Sequence, residues 1–443
     1  AALGLFLCLT AFSKTRADEL SSLSPRLKEE LAYTTGVQAF IYSYPLVHIN
    51  HFRYLFHSPD SPMYMAPANA MGHSRVLSSS SQGAAATPNN DTLYTLAFLD
   101  LSEPVVFDVP AMDDRYYTIQ LADAYATNFG DIGTRHNNGR PGKYMVVGPD
   151  WSGATPVGVS QVFRSPTPWA TTLLRVLVDN EKELEGVHAM QDAFKLTTID
   201  GMPLPPRDPA LLPDTFKPLA ALPTIAAAGA EQFWAIINRE LTANPPPASD
   251  KALLKQFALV GIGPGQAQDL SHLDPAIKKG LMRAATTGME LVSAAADNIA
   301  GGRSANGWGY ARADIGRYGS DFLYRAGVTR MGLIANDPVE STYLSLYADA
   351  AGNALQGSTV YRLHFPAGQL PPARAFWSIT MYDRQTFRLV DNIIGRYSIG
   401  DRTAGLKYNE DNSLDIYIGN AIPDSEHKSN WLPAPAETFY LVM

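Results

Sequence analysis

From residue 87 to residue 180 the chain meets a turn signal every 8–12 residues, and the runs between are rich in Val, Ile, Tyr, Phe and Thr. Such residues suit a pleated, half-buried surface, and punctuation at that spacing predicts short antiparallel strands packed as a sandwich. The expected strands are TLYTLAFLDL, PVVFDV (closed by Pro110), RYYTIQLADAY, GKYMVVGPDW, VSQVFRSP and TTLLRVLVD. A second block of the same character covers residues 305–443, with STYLSLYAD, TVYRLHF, AFWSITMYD, SLDIYIGN and ETFYLVM.

Helical periodicity fills the remainder. Residues 24–56 carry apolar side chains at helical spacing, with Ser24 as N-cap and Pro25 in the first turn; Pro45 is expected to kink or restart this helix. Residues 57–85 are rich in Ser, Pro, Gly and Ala and read as an irregular connection. Residues 181–304 return to helix, ending in a long run with Asp274 as N-cap, Pro275 behind it and Gly301–Gly302 as its stop. The plan is α+β: a helical segment over 18–85, a first β-sandwich unit over 86–180, a helical insert over 181–304 and a second β-sandwich unit over 305–443.

A net charge of −8, from 35 basic and 43 acidic residues, gives no footprint for nucleic acid. The apolar start, followed by TRA and Asp18–Glu19, reads as a secretory signal over residues 1–17, with a retained anchor as the alternative. Cys8 is the single cysteine, so a processed chain has no thiol to oxidise. These features predict a periplasmic or secreted protein with no stable membrane span after cleavage.

The stretches TPNNDTLY, RYYTIQLADAYATNFGDIGTR and GKYMVVGPDW resemble the family called domain of unknown function 1254. FWSITMYD, NIIGRYSIGDRT, GLKYNEDNSLDIYI and SNWLPAP resemble its usual partner, domain of unknown function 1214. The resemblance implies two jelly-roll-like β-sandwiches with helical additions, in secreted bacterial proteins that are often oligomers. It implies little about activity. His48, in YPLVHINHFR, stands where relatives tend to carry an apolar residue.

Asn89, Asn90 and Asp91 place two amides and a carboxylate at the start of a predicted strand. Asx side chains there cap turns unaided; facing a pocket, Asp91 becomes a candidate base with amides to hold a substrate oxygen. Along the strand RYYTIQLADAY, Tyr117 and Asp123 share one face, with Asn128 just beyond. The candidate catalytic set is therefore Asp91, Asp123, Tyr94 and Tyr117. The candidate substrate-binding set is Asn89, Asn90, Asn128, Arg135, Arg396 and Arg402, the two last being suited to an anion. Each group has a plain structural alternative as a hydrogen-bonded network or an ion pair.

His48, His51 and His57 lack a further ligand at chelating spacing, so no metal is expected. GIGPG, residues 261–265, has no phosphate-loop context, and no cofactor motif appears. Two functions fit. One is a cofactor-independent hydrolase, lyase or isomerase acting on a small molecule; the other is a non-catalytic ligand-binding or oligomeric structural β-sandwich protein. Homo-oligomers are expected from open β-edges. The enzyme requires Asp91, Tyr94, Tyr117, Asp123 and Asn128 to converge on one hollow.

Overall fold

The structure, a computed structural model, describes residues 20, 22–81, 87–208, 229–299 and 303–443. The expected signal, Cys8 and the Gly301–Gly302 stop lie outside them. Helix α1, Pro25–His57, begins as expected: Ser24 Oγ accepts from Leu27 N at 3.4 Å. It runs through Pro45 as one helix, because Tyr42, Ser43, Tyr44, Leu46 and Val47 are all buried there. Tertiary packing on both sides of the proline outweighs the one backbone bond it removes.

The first β-unit contains β1 (Gly72–His73), β2 (Thr92–Asp100), β3 (Val105–Val109), β4 (Tyr117–Asp123), β5 (Asn128–Gly133), a turn of helix α2 (Thr134–Asn137), β6 (Gly142–Val147), β7 (Val159–Arg164), β8 (Trp169–Leu177), α3 (Leu184–Ala193) and β9 (Lys195–Thr197). One sheet has the order β1-β2-β8-β4-β5 and the other β7-β6-β3-β9. Side chains from both, including Leu93, Phe107, Ile119, Val146 and Leu174, form one buried apolar cluster. The outer face of the first sheet is covered as well: Phe98, Trp169 and Leu173 pack with Ile49 and Phe52 of α1. That double burial explains why β4 and β8 are buried at every position.

Helices α4 (Gly229–Ala243), α5 (Lys251–Phe257) and α6 (Pro275–Asp297) follow. They close on α1 through Phe40, Phe233, Trp234, Leu281 and Ala284. Asp274 caps α6 as the sequence predicts, accepting from Ala276 N at 2.9 Å.

The second unit contains β10 (Ser304–Ala305), β11 (Trp308–Tyr310), α7 (Phe322–Gly332), β12 (Leu344–Leu346), β13 (Tyr361–Phe365), β14 (Ser378–Asp383), β15 (Ser398–Gly400), β16 (Leu414–Gly419), β17 (Trp431–Pro433) and β18 (Phe439–Val442). Its sheets are β10-β11-β12-β18-β14-β15 and β13-β16-β17, again facing a shared core with Trp377, Ile379, Ile416 and Leu441.

The two units share one connectivity. The order β2-β8-β4-β5 corresponds to β12-β18-β14-β15, and β7-β6-β3 corresponds to β17-β16-β13. Among the described strands, each unit has one departure from antiparallel pairing, and it falls in the same place: β6 with β7 and β16 with β17 are parallel. The sequence predicts antiparallel units throughout. Parallel neighbours need a crossover connection, and the segments 148–158 and 420–430 supply it. The registers agree too. Thr118 faces Gly133 as Ser378 faces Gly400, and Ile119 faces Ile132 as Ile379 faces Ile399.

Candidate functional site

Strand registers fix which positions correspond between the units. Gln120 lies beside Leu173 of β8, which lies beside Leu96 of β2; Thr380 lies beside Val442 of β18, which lies beside Ser345 of β12. Counting back from Leu96 and Ser345, Tyr94 matches Tyr343 and Asp91 matches Glu340. Counting along β5 and β15, Arg135 matches Arg402. The residues read as a site thus have twins.

Asp91 is 5% exposed. Both its carboxylate oxygens are taken by the other unit: Ser378 Oγ donates at 2.6 Å and Arg402 Nη2 at 2.5 Å. Burial pushes its carboxyl above the usual range, with Arg402 and Ser378 opposing. Arg402 also donates to Val178 O at 2.6 Å. The twin acid, Glu340, accepts from Arg135 Nε at 2.7 Å and from Tyr116 Oη at 2.6 Å. Arg135, after β5, therefore reaches the acid before β12, and Arg402, after β15, reaches the acid before β2. Tyr116 and Phe376, the residues before Tyr117 and Trp377, meet each other edge to face at 5.9 Å. Corresponding residues in mutual contact mark a local two-fold axis between the units.

The amides serve the same junction. Asn89 Oδ1 accepts from Asp91 N, Thr92 N and Thr92 Oγ1 at 3.0–3.1 Å, an Asx cap on β2. Asn90 Nδ2 donates to Ser78 O at 2.6 Å. Tyr94 Oη accepts from Asn89 N at 3.0 Å, as Tyr343 Oη accepts from Asn336 N at 3.3 Å. Asn128 donates to Ala335 O and Asp337 Oδ1, both at 2.8 Å, and accepts from Gln120 Nε2 at 2.9 Å. Arg175 joins the network through Gln120 Oε1 and Asn336 Oδ1.

Asp123 sits elsewhere. It ends β4, level with Leu99 and so about eight residues along the sheet from Asp91, or roughly 26 Å at the usual rise of an extended strand. Its Oδ1 accepts from Tyr125 N and Thr127 N at 2.9 Å, closing a turn in which Ala126 has φ of 62°. Burial raises its pKa to about 6. Its twin Asp383 closes the corresponding turn, accepting from Gln385 N and Thr386 N. Tyr117 is buried in the first core with its hydroxyl on Asn137 Nδ2 at 2.5 Å. Arg396 donates to Ser429 O and Trp431 O at 2.9 and 2.8 Å and holds the approach to β17.

The candidate residues are thus spread over four locations: the two-unit junction, the first unit's core at Tyr117, the β4–β5 turn and the approach to β17. Tertiary pairing across the units, invisible to strand-by-strand reading, separates them. Two hollows among the described residues are lined by none of the candidate residues. One, of about 10 Å³, lies among Asn50, Arg53, Trp169, Glu240 and Asn244 and has room for about one water. The other is an open surface cleft of about 470 Å³ between Arg115 and α3. Among the described residues no group of three or more His, Cys, Asp or Glu is placed to hold a metal ion, and no helix is long and apolar enough to cross a membrane.

Sequence reading missed Glu340, Ser378 and Tyr116 as junction residues. A signal existed: Ile-Gly-Thr-Arg at 132–135 returns as Ile-Gly-Asp-Arg at 399–402, and Asp-Thr-Leu-Tyr at 91–94 as Glu-Ser-Thr-Tyr at 340–343.

A crystal structure of the VPA0106 protein from Vibrio parahaemolyticus is similar in fold, at 23% identity and a TM-score of 0.66 over 94% of each chain. A putative uncharacterized protein from Burkholderia cenocepacia matches at 14% identity and a TM-score of 0.43, over 97% of this chain and 93% of that one. No curated protein matches. Residues 68–198 match the family described as protein of unknown function (DUF1254), and residues 340–443 match protein of unknown function (DUF1214), so each match falls within one β-unit. The chain therefore joins, from N- to C-terminus, a DUF1254 region to a DUF1214 region.

Proposed function

We propose that this is an exported, non-catalytic β-module protein: two sandwich units of one connectivity, locked face to face and built to present their outer surfaces. One observation carries the reading. Each acid that the sequence marks for proton transfer has a counterpart in the other unit spent in the same structural way. Asp91 and Glu340 each hold an arginine across the junction, and Asp123 and Asp383 each close a hairpin turn. A catalytic base needs an accessible proton acceptor within reach of substrate; Asp91 has both oxygens engaged and is 5% exposed. The shared apolar core of each pair of sheets supports the sandwich description. The apolar start and a single early cysteine support export.

The test is a metabolite screen by thermal shift on the wild type and on Asp91→Asn. The proposal expects Asp91→Asn to lower the melting temperature and no metabolite shift to depend on Asp91. A variant that melts like the wild type but loses a metabolite-induced shift overturns it in favour of the small-molecule enzyme.

A further inference from the structure

β3 and β13 hold the same place in their units. Both have five residues, both pair antiparallel with the central strand of the smaller sheet, and both send their first, third and fifth side chains into the core. Their outer edges differ. β9 lies along β3, with Leu196 opposite Phe107. Under that cover Val105, Phe107 and Val109 are 0%, 1% and 1% exposed. Among the described residues no strand lies along the outer edge of β13, and the matching Tyr361 and Leu363 are only half-buried. Core-facing side chains reach solvent where the other unit has a fourth strand. An edge of this kind offers N–H and C=O groups to another chain.

We propose that a second copy of this chain fills that place, pairing β13 with its own β13, antiparallel, about a two-fold axis through Leu363. The strand itself selects this occupant. Tyr-Arg-Leu-His-Phe reads alike in both directions by class: aromatic, basic, leucine, basic, aromatic. An isologous antiparallel pair sets Leu363 against the partner's Leu363 and Tyr361 against the partner's Phe365 on the core side, and both are stabilising cross-strand pairs. On the outer side Arg362 meets the partner's His364. Asp415 compensates this basic row: on β16 it lies 2.7 Å from His364 Nδ1 and 3.9 Å from Arg362 Nη1, so each copy brings its own carboxylate. Val360, 63% exposed, gains cover beside the partner's Pro366. The acid–arginine pairs between the units take no part, so this inference and the proposed function can fail separately.

Disulfide cross-linking of the full chain, carrying Cys8→Ser as a thiol-free background, reads the register directly. Under copper–phenanthroline oxidation Leu363→Cys is expected to give a covalent dimer. Tyr361→Cys and Phe365→Cys are each expected to stay uncross-linked alone and to cross-link when mixed. Val157→Cys, fully exposed, reports random collision. Sedimentation of the unsubstituted chain is expected to approach twice the chain mass as concentration rises, and Leu363→Lys to abolish that species. Near-UV circular dichroism checks that each variant is folded. A chain that sediments as a monomer at every concentration overturns the proposal. So does a dimer that cross-links through position 363 no better than through 157, which would place the contact on another edge. If Leu363→Lys fails to fold, the cysteine series decides alone.

Discussion

Asp91 and Asp123 look alike in the sequence, as acids beside aromatic strand residues, and differ in what surrounds them. Asp91 is one half of a buried ion pair. Removing one member leaves the other desolvated and unpaired, which typically costs about 3–5 kcal/mol. Arg402→Met is therefore expected to lower unfolding stability by about 3 kcal/mol, near the bottom of that range because the Arg402 side chain is 19% exposed. Asp91→Asn combined with Arg402→Met should cost less than the two single losses added together. Urea denaturation of the four proteins measures this; strictly additive losses would refute the pair. Among the described residues the donors to the Asp123 carboxylate are backbone N–H groups, and its pKa stands at about 6 against 3.8. A value raised on folding favours the protonated form, so the stabilisation is complete below about pH 4 and lost as pH rises through 6, about 3 kcal/mol in all. Asp123→Asn keeps the Oδ1 acceptor and stays neutral. Its stability relative to the wild type should climb by up to that amount between pH 4 and 7. A difference that stays flat across this range would show that Asp123 titrates normally.

Elements with long apolar runs were legible, and those made by close approach were not. β2, β4, β8, β14 and β16 fall where alternation and β-branched content place them. β5, Asn-Phe-Gly-Asp-Ile-Gly, and β15, Ser-Ile-Gly, carry weak strand signals and exist because a neighbouring strand pairs with them. Their glycines show how near that neighbour comes. A Cβ on Gly133 would stand 2.6 Å from Tyr117 O, and one on Gly400 2.2 Å from Trp377 O. Backbone atoms cannot withdraw as a side-chain tip can. Gly400→Ala is expected to cost about 2–3 kcal/mol, through displacement of β15 from β14. Gly186→Ala is the control: in α3, with nothing within 4 Å of the new methyl group, it should stabilise by about 0.5–1 kcal/mol. Thermal melts of the two variants should move in opposite directions; equal shifts would contradict the packing described for β15. The short helix α7 escaped strand-and-helix reading because its buried Arg325 and Thr329 blur the apolar face.

At the scale of the molecule, the sequence by itself determined the class, the order of helical and strand-rich blocks, the caps of α1 and α6 and the resemblance of the two β-blocks to two families. These rest on local physics: side-chain period, β-branched content, capping chemistry and turn residues act within a few positions of one another. The sequence also marked Asp91, Tyr94, Asn128, Arg135 and Arg402 as more than filler, since such groups are rarely placed beside buried strands without a partner. Only the tertiary structure decided who those partners are. The acid before β2 and the arginine after β15 are separated by most of the chain, and their meeting depends on one unit turning to face the other about a local axis. Side-chain patterning along a single strand carries no information about that rotation, because it is set by the combined packing of four sheets and the α1 layer.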